Sequence, residues 1–500
     1  MTDRNSDSQA LDLTAIAHAA MVDAGFVPDV PQSVLDEVQS LEAQPLKAVS
    51  DSATRDLRSL LWSSIDDRKS RDLDQVEFAE SLPNGDVRVL VGIADVDSLV
   101  KKGSAIDAHA AENTTSVYTG VKTFPMLPEQ LSTDMTSLND GADRSSIVTE
   151  MAVAADGTVK SSEVYRALVH NYAKLSYEAV GAWLDDKGPV PPEIGGVPKM
   201  DAQIRLQFAA AQHLRELRKE HGALELETIQ ASPVINNTGQ VTELVVVERN
   251  SARDLIENFM IAANVAMAQF LEAKGVPSLR RVVRTPKYWP RIVEVARDLG
   301  EELPAQPDSR ALAAFLARRK TADPQHFPDL SLSIVKLLGP GEYTVEIPGA
   351  ATSKEPSGHF GLAVQDYTHS TAPNRRYADL VTQRLVKAAI AKVSPPYSTA
   401  ELETIAAHCT EGEDAARKVE RKMRKVGAAL LLANRIGEVF DAIVTGVTPK
   451  GTFARIIKPP VDGRVMRGER GLRVGEKVRV KLLSTDPARG FIDFERVGEG

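Results

Sequence analysis

Apolar residues recur at helical spacing in the first fifty positions: Leu13, Ile16 and Ala20, then Val34, Val38 and Leu41. That period predicts two amphipathic helices, and Gly25, Pro28 and Pro31 predict the break between them. From about residue 55 the texture changes. Residues 87–96 form a β-branched apolar run after the Asn84-Gly85-Asp86 turn, the pattern of a buried strand. A helix is expected over 106–113, strands over 147–154 and 160–168, and a helix over 204–221. A strand over 240–248 and a long helix over 252–274 follow, and another helix is expected over 401–436. Strands and helices mix without a strict βαβ rhythm, so the expected class is α+β. From Gly437 short β-rich runs alternate with Gly/Pro turns, over 440–446, 451–456, 477–483 and 490–494. Such a run of short strands suits a small all-β barrel of the OB type.

The expected organisation is therefore a helical segment over 1–49, a large mixed domain over 50–435 that includes a connector helix, and a barrel over 436–500. Two helices and a turn at the N-terminus fit either a helix-turn-helix or a cap packed on the next domain. Residues 1–50 carry eight acids against two bases, which makes a poor nucleic-acid reader and favours the cap.

Composition adds bounds. With 43% hydrophobic and 26% charged residues the chain can bury a sizeable core. No apolar run is long enough for a membrane span, and the first residues lack the basic-then-apolar pattern of a signal peptide. The single cysteine, Cys409, excludes an internal disulfide and a thiolate cluster, which fits a cytoplasmic setting. Net charge is −9, yet residues 440–490 carry eleven Lys/Arg against five Asp/Glu. A local basic surface of this kind can hold nucleic acid on a net-acidic protein. The patch Arg417, Lys418, Arg421, Lys422, Arg424 and Lys425 on the connector fits a solvated helix face or contact with a phosphate backbone.

Two stretches carry candidate chemistry. Residues 64–75 hold Asp66, Asp67, Asp72 and Asp74 within nine positions. Alone, they read as a solvated acidic loop or as a Mg²⁺ site, since Mg²⁺ takes a few carboxylates and otherwise keeps waters or phosphate oxygens. About 300 residues downstream, Thr371-Ala372-Pro373-Asn374-Arg375-Arg376 leads into an apolar helix from Tyr377. The guanidinium fork and a helix N-terminus both suit phosphate. Together the two stretches suit a phosphodiester held against a metal site.

With these segments the chain resembles the ribonuclease II family, whose catalytic module is called RNB, over roughly residues 50–435. The resemblance rests on Ser64-Ile65-Asp66 with Arg71–Gln75, on Gly92–Val96, on Thr115–Tyr118 and on Pro125–Glu129 with Leu131-Ser132. Glu257 with Met260–Asn264, His359–Leu362 and Thr371–Arg384 complete it. The C-terminal barrel is similar to the RNA-binding OB domain of ribosomal protein S-one. The resemblance implies a Mg²⁺-dependent hydrolase that shortens single-stranded RNA from its 3′ end and releases nucleoside 5′-monophosphates, commonly as a monomer. By position, Asp66, Asp72, Asp74 and Gln75 match the metal site, with Asp74 the aspartate most tied to catalysis. Arg375, with Arg376 beside it, matches the contact to the scissile phosphate. Tyr177 matches an aromatic that stacks on the terminal base, and Glu257 a carboxylate near the terminal ribose. Two ions about 4 Å apart would serve the attacking and leaving oxygens.

Departures from the family pattern are specific. Gln75 stands where many members have a fourth aspartate, for which Asp67 is a candidate substitute. Ser370, Ala372 and Asn374 replace the more usual Phe, Ser and Ile. Residues 222–230 contain no aromatic where some members place a stacking anchor. The segment before the catalytic module cannot hold the paired cold-shock barrels common in the family, so structured RNA and short overhangs are expected to be handled differently. The competing reading is a non-catalytic RNA-binding or regulatory protein on the same scaffold.

Overall fold

The computed structural model describes residues 12–44, 53–227, 231–236, 241–246, 249–286, 288–349 and 358–498. The outer parts of the expected 1–49 segment, residues 228–230 of the aromatic-free stretch, and residues 240 and 247–248 of an expected strand lie outside them.

The organising element is a six-stranded mixed sheet. Its order is Arg55–Asp56, Val159–Ser176, Trp62–Asp66, Gln75–Ser81, Val87–Ala94, Asp143–Val153. The long strand Val159–Ser176 pairs antiparallel with Asp143–Val153 through its first two thirds and parallel with Trp62–Asp66 through its end. One strand thereby closes the ring of pairings. Both faces are covered, which explains why 87–94 reads as an apolar run in which Arg88 is the one charged residue. Leu90 and Ala94 pack with Trp62, Val76, Phe78 and the helix Tyr377–Ala391. Val89, Val91 and Ile93 point the other way, onto helices Met200–Glu220 and Ser251–Ala273 through Ile204, Leu255 and Phe259.

Helix ends follow local chemistry. Asn250 accepts from the Arg253 backbone N–H at 3.0 Å and starts the helix Ser251–Ala273. Ser398 and Glu401 form a reciprocal capping box at the head of the 34-residue connector helix Thr399–Leu432. The N-terminal helices Leu13–Asp23 and Gln32–Glu42 behave as a cap. Leu13, Ala17, Ala20 and Met21 pack on Ala416, Val419 and Met423 of the connector and on Val117 and Phe124.

The C-terminal unit is a closed five-stranded barrel in the order Val439–Thr448, Gly451–Ile456, Val461–Arg467, Phe491–Val497, Lys477–Asp486. Its one parallel pairing, between Val461–Arg467 and Phe491–Val497, is the closure of an OB-type barrel. One region has no counterpart in the sequence expectation. Helices Trp289–Asp298, Ser309–Ala322 and Phe327–Leu338 form a small unit around Trp289, Ile292, Phe315 and Phe327. No helix among the described residues is long and apolar enough to cross a membrane.

Candidate active site

The acidic stretch is the connection between two adjacent strands, Trp62–Asp66 and Gln75–Ser81. Its backbone is pinned from several sides. The Leu73 N–H donates to Ser137 Oγ at 2.9 Å, and that hydroxyl donates to the Arg71 carbonyl at 2.8 Å. Lys174 Nζ donates to the Ser70 carbonyl. The Ala94 N–H donates to the Asp74 carbonyl at 3.0 Å. Asp67, Arg68, Lys69 and Arg71 stay exposed, whereas the Leu73–Gln75 end of the run is buried.

Asp74 is the most deeply set of its acids, with 2% of its surface exposed. Oδ1 accepts from the Asn374 backbone N–H at 3.1 Å, and Oδ2 accepts from Arg375 Nε at 3.1 Å. The two stretches singled out in the sequence therefore meet in one pair of hydrogen bonds. Burial pushes the Asp74 carboxyl up to about 7, Asp72 adds to the rise, and Arg375 opposes it. Burial also raises Asp66, against the Asp67 N–H, Arg375 and Ser70. The Asp67 N–H and Ser70 Oγ donate to Asp66 Oδ1 at 2.7 and 3.1 Å. Asp72 Oδ2 accepts from the Tyr118 hydroxyl at 3.1 Å. Gln75 is 7% exposed and pairs with Ile93 in the sheet.

The two arginines diverge. Arg375 leaves 43% of its side chain exposed while touching Asp74. Arg376 turns both prongs onto Asp379, whose side chain is fully buried, at 2.9 and 2.7 Å. Asp379 also accepts from the Ala372 N–H at 2.8 Å, so this pair shapes the Pro373 turn. Behind the turn, the Thr115 hydroxyl and the Ser116 N–H donate to the Arg375 carbonyl at 3.2 and 3.0 Å. Of the replaced positions, Asn374 Oδ1 accepts from Thr136 Oγ1 and Ser370 Oγ donates to Asn264, so both have rebuilt local hydrogen bonds.

Tyr177 follows directly on Ser176, the register partner of Asp66, which sets it beside the acidic loop. Its ring lies under the Arg253 guanidinium, 4.3 Å from the ring centre. Asp67 accepts from the same Arg253 at 2.6 Å. Glu257 accepts from Arg249 at 2.6 Å and keeps 43% of its side chain exposed. Tyr118 was visible in the sequence only as part of a motif. It is 42% exposed and lines, with Thr115, Ser116, Arg375, Arg417 and Glu420, a cavity of about 250 Å³. Its backbone N–H donates to Glu420 of the connector at 3.2 Å.

Among the described residues no three His, Cys, Asp or Glu side chains stand close enough together to hold one ion. The donor chemistry nevertheless fits a hard divalent cation. All the candidates offer oxygen, and burial disfavours the charge on both Asp66 and Asp74, a cost a cation would offset.

A mixed closed sheet with buried acids at a strand connection, an arginine turn facing them, and a terminal OB barrel define a class. The chain belongs to the RNB domain family, whose model matches residues 54–392, and an RNase II-type exonuclease C-terminal S1 domain matches residues 438–497. It is 31% identical over 502 residues to ribonuclease R of Thermotoga maritima, covering 94% of this chain and 68% of that protein. It is 29% identical over 514 residues to ribonuclease R of Escherichia coli, covering 93% of this chain and 60% of that protein. The chain thus spans roughly three fifths to two thirds of these relatives' length. The fold is also that of Mycoplasma genitalium RNase R in complex with ribose-methylated single-stranded RNA, at a TM-score of 0.86 and 23% identity over 97% of this chain and 78% of that one.

Proposed function

We propose that this protein is a Mg²⁺-dependent hydrolytic 3′→5′ exoribonuclease that releases nucleoside 5′-monophosphates from single-stranded RNA. One observation carries the reading: Asp74, buried, is joined to Asn374 and Arg375 of the arginine turn. The ribonuclease R relatives agree with it. Asp66, Asp72 and Asp74 would hold the cation, with Gln75 available as a neutral oxygen. When bound, the ion supplies charge neutralisation at the phosphodiester and a more acidic water.

The chain's own residues do the rest. The exposed part of Arg375 meets the non-bridging oxygens of the scissile phosphate, while its Nε stays with Asp74. Arg376 holds the turn through Asp379 rather than reaching the substrate. Tyr118 offers an exposed ring beside the acidic loop, and Tyr177, stacked under Arg253, would meet a terminal base through its uncovered edge. Glu257, already paired with Arg249, stands on the terminal-ribose side of the same reading. The barrel and the connector's basic patch guide the strand through its phosphates. A cytoplasmic, monomeric enzyme completes the proposal, and light scattering on the purified chain checks the monomer.

The test uses 5′-labelled poly(A) with Mg²⁺ or EDTA. A ladder that shortens from the 3′ end with Mg²⁺ alone, and disappears in Asp74→Asn with RNA binding retained, is the expected result. Well-folded protein that binds the RNA and leaves it intact identifies the non-catalytic reading instead.

A further inference from the structure

The connector helix Thr399–Leu432 runs along the segment that supports the arginine turn. His408 Nε2 donates to the Glu112 carbonyl at 3.1 Å, and Glu420 accepts from the Tyr118 N–H at 3.2 Å. Between these two contacts Thr114 meets Gly412, and each residue stands where its type is disfavoured. Thr114 follows the helix Ala105–Asn113 with φ at 56°. A positive φ just after a helix is usually left to glycine, and for a β-branched residue it is strained. Gly412 lies inside the connector, where glycine weakens a helix relative to alanine.

The two exceptions explain each other. A Cβ built on Gly412 would overlap Thr114 Oγ1 and stand 3.1 Å from its Cβ and 3.3 Å from its Cγ2. Turning the hydroxyl aside therefore does not free the space. Thr114 is 3% exposed, and its hydroxyl has no hydrogen-bond partner among the described residues. The side chain serves as a wedge rather than as a polar group. The backbone it carries leads straight to the site. The Thr114 carbonyl accepts from the Tyr377 N–H at 2.8 Å, at the start of the helix that follows the two arginines. Thr115 and Ser116, next in the chain, hold the Arg375 carbonyl. Strain of this kind persists where the surrounding structure over-determines it, and it gathers at functional sites.

We propose that Thr114 is a positioning residue for Arg375: wedged on Gly412, it fixes the spacing between the connector and the arginine turn, and with it the reach of the guanidinium. The inference rests on the reading that Arg375 meets the scissile phosphate. Thr114 is too deeply buried to touch RNA, so it acts only through the turn.

The test is single-turnover shortening of 5′-labelled poly(A), with RNA affinity and melting temperature measured on the same proteins. Gly412→Ala pushes Thr114 and the turn away from the connector, and the rate is expected to fall about tenfold or more with RNA affinity unchanged. Thr114→Gly removes both the strain and the wedge. Its rate is expected to fall about tenfold as well, while its melting temperature holds or rises, a split that a merely structural role does not produce. Combining Thr114→Gly with Gly412→Ala returns a methyl to the vacated space from the helix side and is expected to restore most of the rate. An unchanged rate in either single variant, or losses that multiply instead of cancelling in the double, overturns the proposal. Should Gly412→Ala not fold, Thr114→Gly alone decides. A slower rate at undiminished melting temperature supports the proposal, and a wild-type rate, or a loss that tracks a lower melting temperature, overturns it. Wild-type protein that leaves poly(A) intact brings down the exoribonuclease reading, whereas an active wild type with unaffected variants brings down this inference alone.

Discussion

The closed sheet of the RNB module and the C-terminal barrel treat charge in opposite ways. Around the sheet, acids are taken out of water and joined to specific partners: Asp74 to Arg375, Asp379 to Arg376, Asp97 to Arg384. In the barrel, the core is apolar, and Lys477, Arg479 and Lys481 stand exposed at alternate positions of one strand. A pair drawn out of water is fixed in geometry and little screened by salt, whereas an exposed basic face acts at a distance and is screened. The first arrangement suits chemistry at one bond, and the second suits holding a strand whose sequence varies.

The contrast can be broken from either side. Asp74→Asn removes a carboxylate at the centre of the first arrangement, and kcat is expected to fall by roughly 10³-fold or more with little change in RNA affinity. Single-turnover rates together with filter binding check the split. Arg375→Ala is expected to cost about 10² in kcat, and Arg375→Lys is expected to recover only part, because an ammonium lacks the fork that reaches Asp74 and a phosphate together. On the other side, replacing Lys477, Arg479 and Lys481 together by Ala is expected to leave kcat on short saturating RNA unchanged. Affinity is expected to drop about tenfold, and the slope of log K against log salt is expected to shrink by about 0.7 for each phosphate the barrel no longer neutralises. A salt titration of binding distinguishes the two outcomes.

The smallest effect concerns pH. Asp66, Asp74 and Glu77 all have carboxyls raised by burial, Asp74 to about 7. Between their unfolded values and about pH 7 the folded state therefore holds more protons than the unfolded one, so cation-free stability rises as pH falls through this window. Melting in EDTA is expected to be roughly 2–4 °C higher at pH 5.5 than at pH 7.5, and saturating Mg²⁺ is expected to narrow that gap by favouring the ionised forms.

Much of this was legible in the sequence because it depends on local chemistry. The strand 87–94, the long helix after residue 251, the acidic stretch and the arginine turn are all set by neighbouring residues. The helical unit around Trp289 and Phe315 was not, since it carries no chemical motif. Its prolines, Pro290 and Pro328, sit in the first turns of helices rather than breaking them. Arg376 was read with Arg375 because they are adjacent. Asp379, three residues on, takes one of them away, and only the turn's geometry decides which. Tyr118 lay inside a recognised motif, but its exposure beside Asp72 depends on a partner 46 residues away.

That separation has a consequence for biosynthesis. Asp74 and the turn that receives it are 300 residues apart in the chain. At about 5–20 residues per second, roughly 15–60 s pass between the synthesis of one and the other. During that interval the nascent protein carries its acids without the arginine that completes their surroundings. The barrel is made later still. A nascent chain of this design therefore completes the surroundings of Asp74 only after residues 374 and 375 have been made.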